Sequence, residues 1–474
     1  MKKLVIVLCG AAGIAAAALA VLAATGALQA QSRSRAEVRR PTITTLPEFP
    51  KVPASGFGLS KEQKDQARQT LVNHKISTYP AISSRSWRAG KFTSTGIFQG
   101  FPPTEDQIAR IAGHYDEILL GAPRADLIAR LRKYNPDLAF LIYVDSGLNP
   151  GWAQSDAGGV DAENLDWVLE HHPDWILKDK DGDFIRSGAS RFGNKGEYWP
   201  DPGNAGWQDY FAEKVVKLMR ETGGQWTGVL LDQFMGTADG YERYAGAKRQ
   251  VKYATDEAFQ AAQLKFLEAA AAKIRLPIIV NMEGASIIRR PAFVAEVAKA
   301  AGGAENEIFP EEMPIEDMRP YLETVQGLPP HLRIGINSKP SGLAGDVDKT
   351  LFAYFCYLLI ADRNREVYWT CKEGTSDVPH YWYREFDLDL GKSRGDISFA
   401  GVVWSREFEN ALVLVNAGKK RAQYAFDSSR RFYDVKGAPV RSPVALEPRT
   451  AMLLIANPSI LQEKEPKTGP SMEE

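Results

Sequence analysis

Several polar residues of this chain stand where an apolar run of strand length stops. Asp232 follows Gly228-Val229-Leu230-Leu231 directly, and Glu311 and Glu312 close the run that starts at Glu307. Asn281 and Glu283 end Pro277 to Glu283, Asp145 ends Ala139 to Asp145 two residues after Tyr143, and Asn337 ends Arg333 to Asn337. A carboxylate at that depth is costly unless it is hydrogen-bonded or used. Two carboxylates facing each other across a pocket can hydrolyse a glycosidic bond: one stays ionised to attack or to activate water, the other protonates the leaving oxygen. Asp232 with Glu311 or Glu312 is the expected catalytic pair. Sugar rings lie on flat apolar faces, which Trp152, Tyr198, Trp199, Trp369 and Trp382 could supply, although each could equally pack against a helix. Tyr143, Asp145, Asn281, Glu283 and Asn337, with Trp152, Trp199 and Trp369, are the expected substrate contacts.

These residues need a frame that brings strand ends together. Strand-length runs at Thr95 to Gly100, Glu117 to Ala122, Ala139 to Asp145, Gly228 to Asp232, Pro277 to Glu283, Glu307 to Glu311, Arg333 to Asn337 and Val367 to Cys371 alternate with helix-length amphipathic stretches. That rhythm predicts an α/β fold, a (β/α)8 TIM barrel, whose active sites form at the carboxyl ends of the strands. If Leu231 faces the helices, Asp232 faces the barrel axis, and the same alternation turns Asn281 and Glu283 inward. On the sixth strand it favours Glu311 if Ile308 and Pro310 face the helices, and Glu312 if the register differs by one.

After about Gly395 short strands follow without helices, which predicts a small C-terminal antiparallel β-sandwich. The expected division is 1–30 signal peptide or membrane anchor, 31–90 linker with a helical stretch at Ser60 to Asn73, 91–394 barrel, 395–457 sandwich and 458–474 disordered tail. Between the third and fourth strands, Trp175 to Ile185 reads as a hairpin about Asp181-Gly182, with Asp179, Asp181 and Asp183 serving the turn rather than a calcium loop.

The succession IFQGFPPTEDQIARIAGHYDEILLG, HHPDWILKDKDGD, WPDPGNAGWQDYF, GVLLDQF, NMEG and IFPEEMP resembles glycoside hydrolase families built on a TIM barrel, themselves similar to the endo-α-1,4-polygalactosaminidase and α-galactosidase groups. The order of the motifs carries the likeness over roughly 95–455. The resemblance implies a nucleophile or base at the end of the fourth strand, on Asp232, and a proton donor after the sixth, on Glu311 or Glu312. It also implies that Asp201, in WPDP, lies in a loop lining the substrate site.

Composition limits the partners. With 58 Lys and Arg against 59 Asp and Glu, the chain lacks the basic surplus of a nucleic-acid binder. Lys2 and Lys3 precede an uncharged run from Leu4 to Ala30, which reads as an export signal or an uncleaved anchor long enough to span a membrane. The expected location is periplasmic or secreted. Cys356 and Cys371 follow that segment and could form a bridge, although two buried thiols are the plainer reading. No His spacing suggests metal, and no cofactor is expected. A polysaccharide or oligosaccharide is the expected partner. Two other readings remain: a non-catalytic glycan-binding barrel, and an envelope scaffold whose acids would pair with Arg or Lys.

Overall fold

The computed structural model describes the chain from Ala89 to Leu461 except 90, 95–102, 104, 149–164, 187–196, 224, 283–289, 308, 311–312, 314, 339–346 and 372–383. The expected leader, the helical stretch at Ser60 to Asn73, the first predicted strand at Thr95 to Gly100 and the tail from 462 lie outside the described residues.

Strands β1 (Lys91–Ser94), β2 (Glu117–Leu120), β3 (Ala139–Asp145), β4 (Gly228–Phe234), β5 (Ile278–Met282), β6 (Gly302–Asn306), β7 (Arg333–Ser338) and β8 (Val367–Cys371) pair in chain order. Strand β1 closes the barrel against β8 in parallel. Helices α1 (Glu105–His114), α2 (Leu127–Tyr134), α3 (Leu165–His171), α4 (Ala205–Glu221), α5 (Gly240–Ala245), α6 (Asp256–Ile274), α7 (Pro291–Ala301), α8 (Ile315–Gly327) and α9 (Val347–Leu358) follow the strands. Local chemistry sets their ends. Asn204 caps α4 by accepting from the Gly206 and Trp207 amides, and Thr255 caps α6 through Ala258.

Alternation sorts the barrel's side chains. Val229, Leu231, Val280 and Ile336 face the helices, whereas Leu119, Leu141, Leu230 and Ile279 form a small apolar layer inside the barrel. Below that layer Glu117, Arg333 and Tyr368 face one another: Arg333 meets Glu117 at 2.9 Å, and the Tyr368 hydroxyl donates to Glu366, which Lys91 also holds at 2.5 Å. Above it the inner face is polar.

The sixth strand begins earlier than the apolar run Glu307 to Glu311 suggests. Gly302 ends α7 in the left-handed region at φ 95° and opens β6 at once, with no linking loop. A Cβ on Gly303 would collide with the Arg333 carbonyl, so close approach of β6 and β7 requires glycine there. Gly-Gly-Ala-Glu-Asn carries none of the branched or aromatic residues by which strands are recognised.

The C-terminal part is a six-stranded antiparallel sheet ordered β14 (Pro439–Val440), β13 (Phe432–Tyr433), β16 (Thr450–Ile455), β11 (Ala411–Asn416), β10 (Val403–Phe408) and β9 (Ser393–Ser398), with a ribbon of β12 (Ala422–Tyr424) and β15 (Val444–Leu446). One apolar cluster runs from Tyr354, Phe355 and Leu358 of α9 into Trp404, Val413, Leu453 and Ile455 of that sheet. Arg449 reaches back to the barrel and donates to the carbonyls of Pro310 and Met313, which flank Glu311 and Glu312.

The predicted hairpin is present. Lys178 pairs with Phe184, the Asp179 carboxylate accepts from the Asp181 and Asp183 amides, and Lys248 bonds both Asp179 and Asp183. Cys356 is buried and takes part in no disulfide.

Candidate active site

The polar layer is built from consecutive strands. Tyr143 on β3, Asp232 on β4, Asn281 on β5, Glu305 on β6 and Asn337 on β7 take inward positions at the carboxyl end. Asp232 is at the centre: Oδ2 accepts from the Tyr143 hydroxyl at 2.5 Å, and Oδ1 accepts from Asn281 Nδ2 and from the Gln233 backbone N–H, each at 2.8 Å. Such donors suit an acceptor-only, ionised carboxylate. Burial, and then the negative charge of Asp232, push the Tyr143 phenol well above its usual range, so it stays a neutral donor.

Asn281 Nδ2 also reaches Glu307 Oε2 at 3.3 Å. One amide nitrogen therefore touches a carboxylate from β4 and another from just past β6, so those two oxygens are no farther apart than the two bonds end to end. Beside them Asn337 Nδ2 donates to Glu305 Oε1 at 3.3 Å, and Gly335 leaves room for the Glu305 side chain where a Cβ would crowd it.

A second group of acids lies deeper. Asp145 accepts from the Gly147 amide on Oδ1 and from Gln233 Nε2 on Oδ2, both at 3.0 Å, and the buried Glu197 carboxyl lies against the same Gly147. Burial, reinforced by Glu197 and Asp232, raises Asp145 well above the carboxylate range, and burial pushes Glu197 up to about 8. A Cβ on Gly147 would overlap Glu197 Oε1, so the absence of a side chain there makes the seat for the Glu197 carboxyl.

Several expected contacts have other occupations. Trp199 is wholly buried and stacked on Tyr241 at 4.4 Å between centroids, and Trp369 is 1% exposed among Phe92, Tyr354 and Phe386, its indole donating to Ser338. Neither presents a face to a sugar. Asp201 is 1% exposed and accepts from the Tyr253 hydroxyl at 2.5 Å and the Gly203 amide, with Lys252 on its other oxygen. Its carboxylate fastens a loop instead of lining a site. Asp145, also 1% exposed, turns both oxygens to the protein. Trp152, Glu283, Glu311, Glu312 and Trp382 lie outside the described residues.

Sequence reasoning missed Glu197, Gln233, Glu305 and Glu307. Glu307 opens the apolar run that was read as the strand, so the shift of β6 moves the strand end onto it. Gln233 follows Asp232 directly but owes its place to a backbone φ of 59°, which composition does not reveal. Glu197 comes from a segment without periodicity, and only its neighbourhood to WPDP pointed to it.

A family model described as hypothetical glycosyl hydrolase family 15 matches residues 132–412, more than half of the chain. The chain belongs to this glycosyl hydrolase family. That range holds the whole polar layer from Tyr143 to Asn337, and membership makes glycoside hydrolysis the chain's class of chemistry. No protein with a curated description matches. Among solved structures, a family 39 glycoside hydrolase from the gut symbiont Bacteroides cellulosilyticus WH2 is 10% identical, with 79% of this chain and 82% of that one covered and a TM-score of 0.44. A cycloalternan-forming enzyme from Listeria monocytogenes, in complex with a pentasaccharide substrate, is 10% identical over 84% of this chain, at a TM-score of 0.42. The chain spans 43% of that enzyme's length.

Proposed function

We propose that the chain is an exported enzyme that hydrolyses the glycosidic bonds of a polysaccharide or surface glycan, with Asp232 as the ionised carboxylate and a carboxyl just past β6 as the proton donor. Glu307 takes the donor role in this reading, with Glu311 and Glu312 a few residues further along the chain. The observation that carries it is the Asn281 amide, which touches Asp232 at 2.8 Å and Glu307 at 3.3 Å and so brings two carboxylates within reach of one nitrogen. Carboxyl groups about 5 to 5.5 Å apart act by attack and a glycosyl-enzyme intermediate, and a wider gap leaves room for a water. The close pair favours the first.

Asp232 attacks the anomeric carbon while Tyr143 and Asn281 steady its two oxygens. The donor protonates the leaving oxygen, then removes a proton from the water that releases the sugar. Export rests on Lys2, Lys3 and the apolar run that follows, and cell fractionation with and without residues 1–30 tests it.

The enzymatic test screens soluble polysaccharides and a panel of 4-nitrophenyl glycosides of both anomers. Asp232→Asn should abolish turnover of every active substrate. Glu307→Gln should abolish cleavage of unactivated glycans but keep a first-turnover burst of nitrophenolate, because that leaving group needs no acid whereas the water that follows still needs the base. If Glu311→Gln or Glu312→Gln gives that split instead, the donor is reassigned. Binding without turnover by the unaltered protein would favour the glycan-binding alternative.

A further inference from the structure

The deeper acids are not needed as donors or nucleophile, yet they are connected to Asp232 by a short path. Asp145 and Glu197 are both buried and both lie against Gly147, and two carboxylates, having only acceptor atoms, can bond to each other only with a proton on one of them. Both oxygens of Asp145 already accept from N–H donors, one of which is the Gln233 side-chain amide. The Gln233 carbonyl accepts from the Ser146 hydroxyl at 2.9 Å, and the Gln233 backbone N–H is the donor on Asp232 Oδ1. Gln233 holds φ 59°, a conformation that an L residue keeps only when its surroundings impose it. Its side chain is anchored on the acid pair and its carbonyl on Ser146, which supplies that constraint.

We propose that Asp145 and Glu197 share one proton and act as a positioning pair, holding Gln233 so that its backbone N–H orients the Asp232 carboxylate for reaction. This deepens the reading above and rests on Asp232 being the reactive carboxylate. The ionisable groups that act on the pair are Asp232 on β4, Tyr143 on β3 and Tyr241 on α5. All are acidic, so loss of the shared proton places a second negative charge beside Asp232 and weakens its hold. The pair thereby gives the site an alkaline limit independent of the proton donor.

The test uses the full-length protein and a 4-nitrophenyl glycoside that it turns over, so that the leaving group's need for acid does not mask the effect. Glutamine mimics the protonated acid, so Glu197→Gln should keep kcat at neutral pH and remove the loss of activity near pH 8. Glu197→Ala should lower kcat by about 10- to 100-fold with KM little changed, as removal of a group that supports a reacting one does. An infrared titration in the Glu307→Gln background, which removes the donor's own carboxyl, supplies a readout without substrate: a protonated-carboxyl band lost near pH 8 should be present with and without Asp232→Asn and be missing when Glu197→Gln is added. A band that is still lost near pH 8 after Glu197→Gln, or an unchanged alkaline limit in that variant, overturns the pair. A protein inactive on every glycoside overturns the enzymatic reading instead, while the infrared result still decides the pair.

Discussion

At the amino end of the barrel Glu117 meets Arg333 at 2.9 Å, and Lys91 meets Glu366 at 2.5 Å. At the carboxyl end Asp145, Glu197 and Asp232 face one another, and the donors described around them are a phenol, amides and backbone N–H groups. Both ends bury carboxylates on the same inner face, separated by the apolar layer of Leu119, Leu141, Leu230 and Ile279. At the lower end burial raises the Glu117 carboxyl while Arg333 pulls it back, and the ion pair joins β2 to β7. At the upper end burial and like charge act in the same direction and drive Asp145 and Glu197 up together. Opposite charges there would give a firmer barrel but leave no carboxylate poised to react. Acid beside acid is the arrangement proposed to react, and acid beside base the one that ties strands together.

Four experiments can break or sharpen this contrast. Asp232→Asn should cut turnover by roughly 10³-fold or more and leave the thermal midpoint within a few degrees. A large stability loss with activity retained would make the upper end structural too. Arg333→Met should do the reverse, costing about 3 to 5 kcal/mol in denaturant unfolding because the buried Glu117 loses its charge partner. The double variant Glu117→Leu with Arg333→Met should recover most of that loss, and equal losses in the single and double variants would show that the ion pair is not what matters there.

The third concerns pH. An acid whose pKa rises on folding stabilises the fold below its unfolded value and loses that contribution as pH climbs through its folded value. Glu197, raised from 4.5 to about 8, should make stability fall across that window, and Asp145 acts in the same direction. Melting midpoints from pH 5 to pH 9 should decline, with a shallower slope in Glu197→Gln. The smallest effect belongs to Tyr143→Phe, which removes one donor from Asp232 and should slow turnover about tenfold, in line with about 1.5 kcal/mol for a bond to a charged group.

The barrel was legible because its strands carry the pattern that buried parallel strands need: β3 and β8 match the predicted runs end to end, and Asp232 and Asn281 fall on the inner face that alternation assigned. What failed did so for local reasons. Strand β6 is hidden by glycines that close packing demands, which moved the reading of its end from Glu307 to Glu311 and Glu312. Trp199, Trp369 and Asp201 were read from residue type alone, and type does not distinguish a ring open to a sugar from one stacked on Tyr241. Glu197 and Gln233 depend on a long-range contact and on a backbone angle, neither of which leaves a periodic trace.

The Arg449 side chain crosses from the C-terminal sheet to the carbonyls of Pro310 and Met313, and the apolar cluster under α9 is common to both parts. In protein-engineering terms the barrel is therefore not a detachable cassette. A truncation after β8 would strip the covering from α9 and remove the brace on either side of Glu311 and Glu312. The sheet should be carried along in any graft, circular permutation or domain swap of this chain.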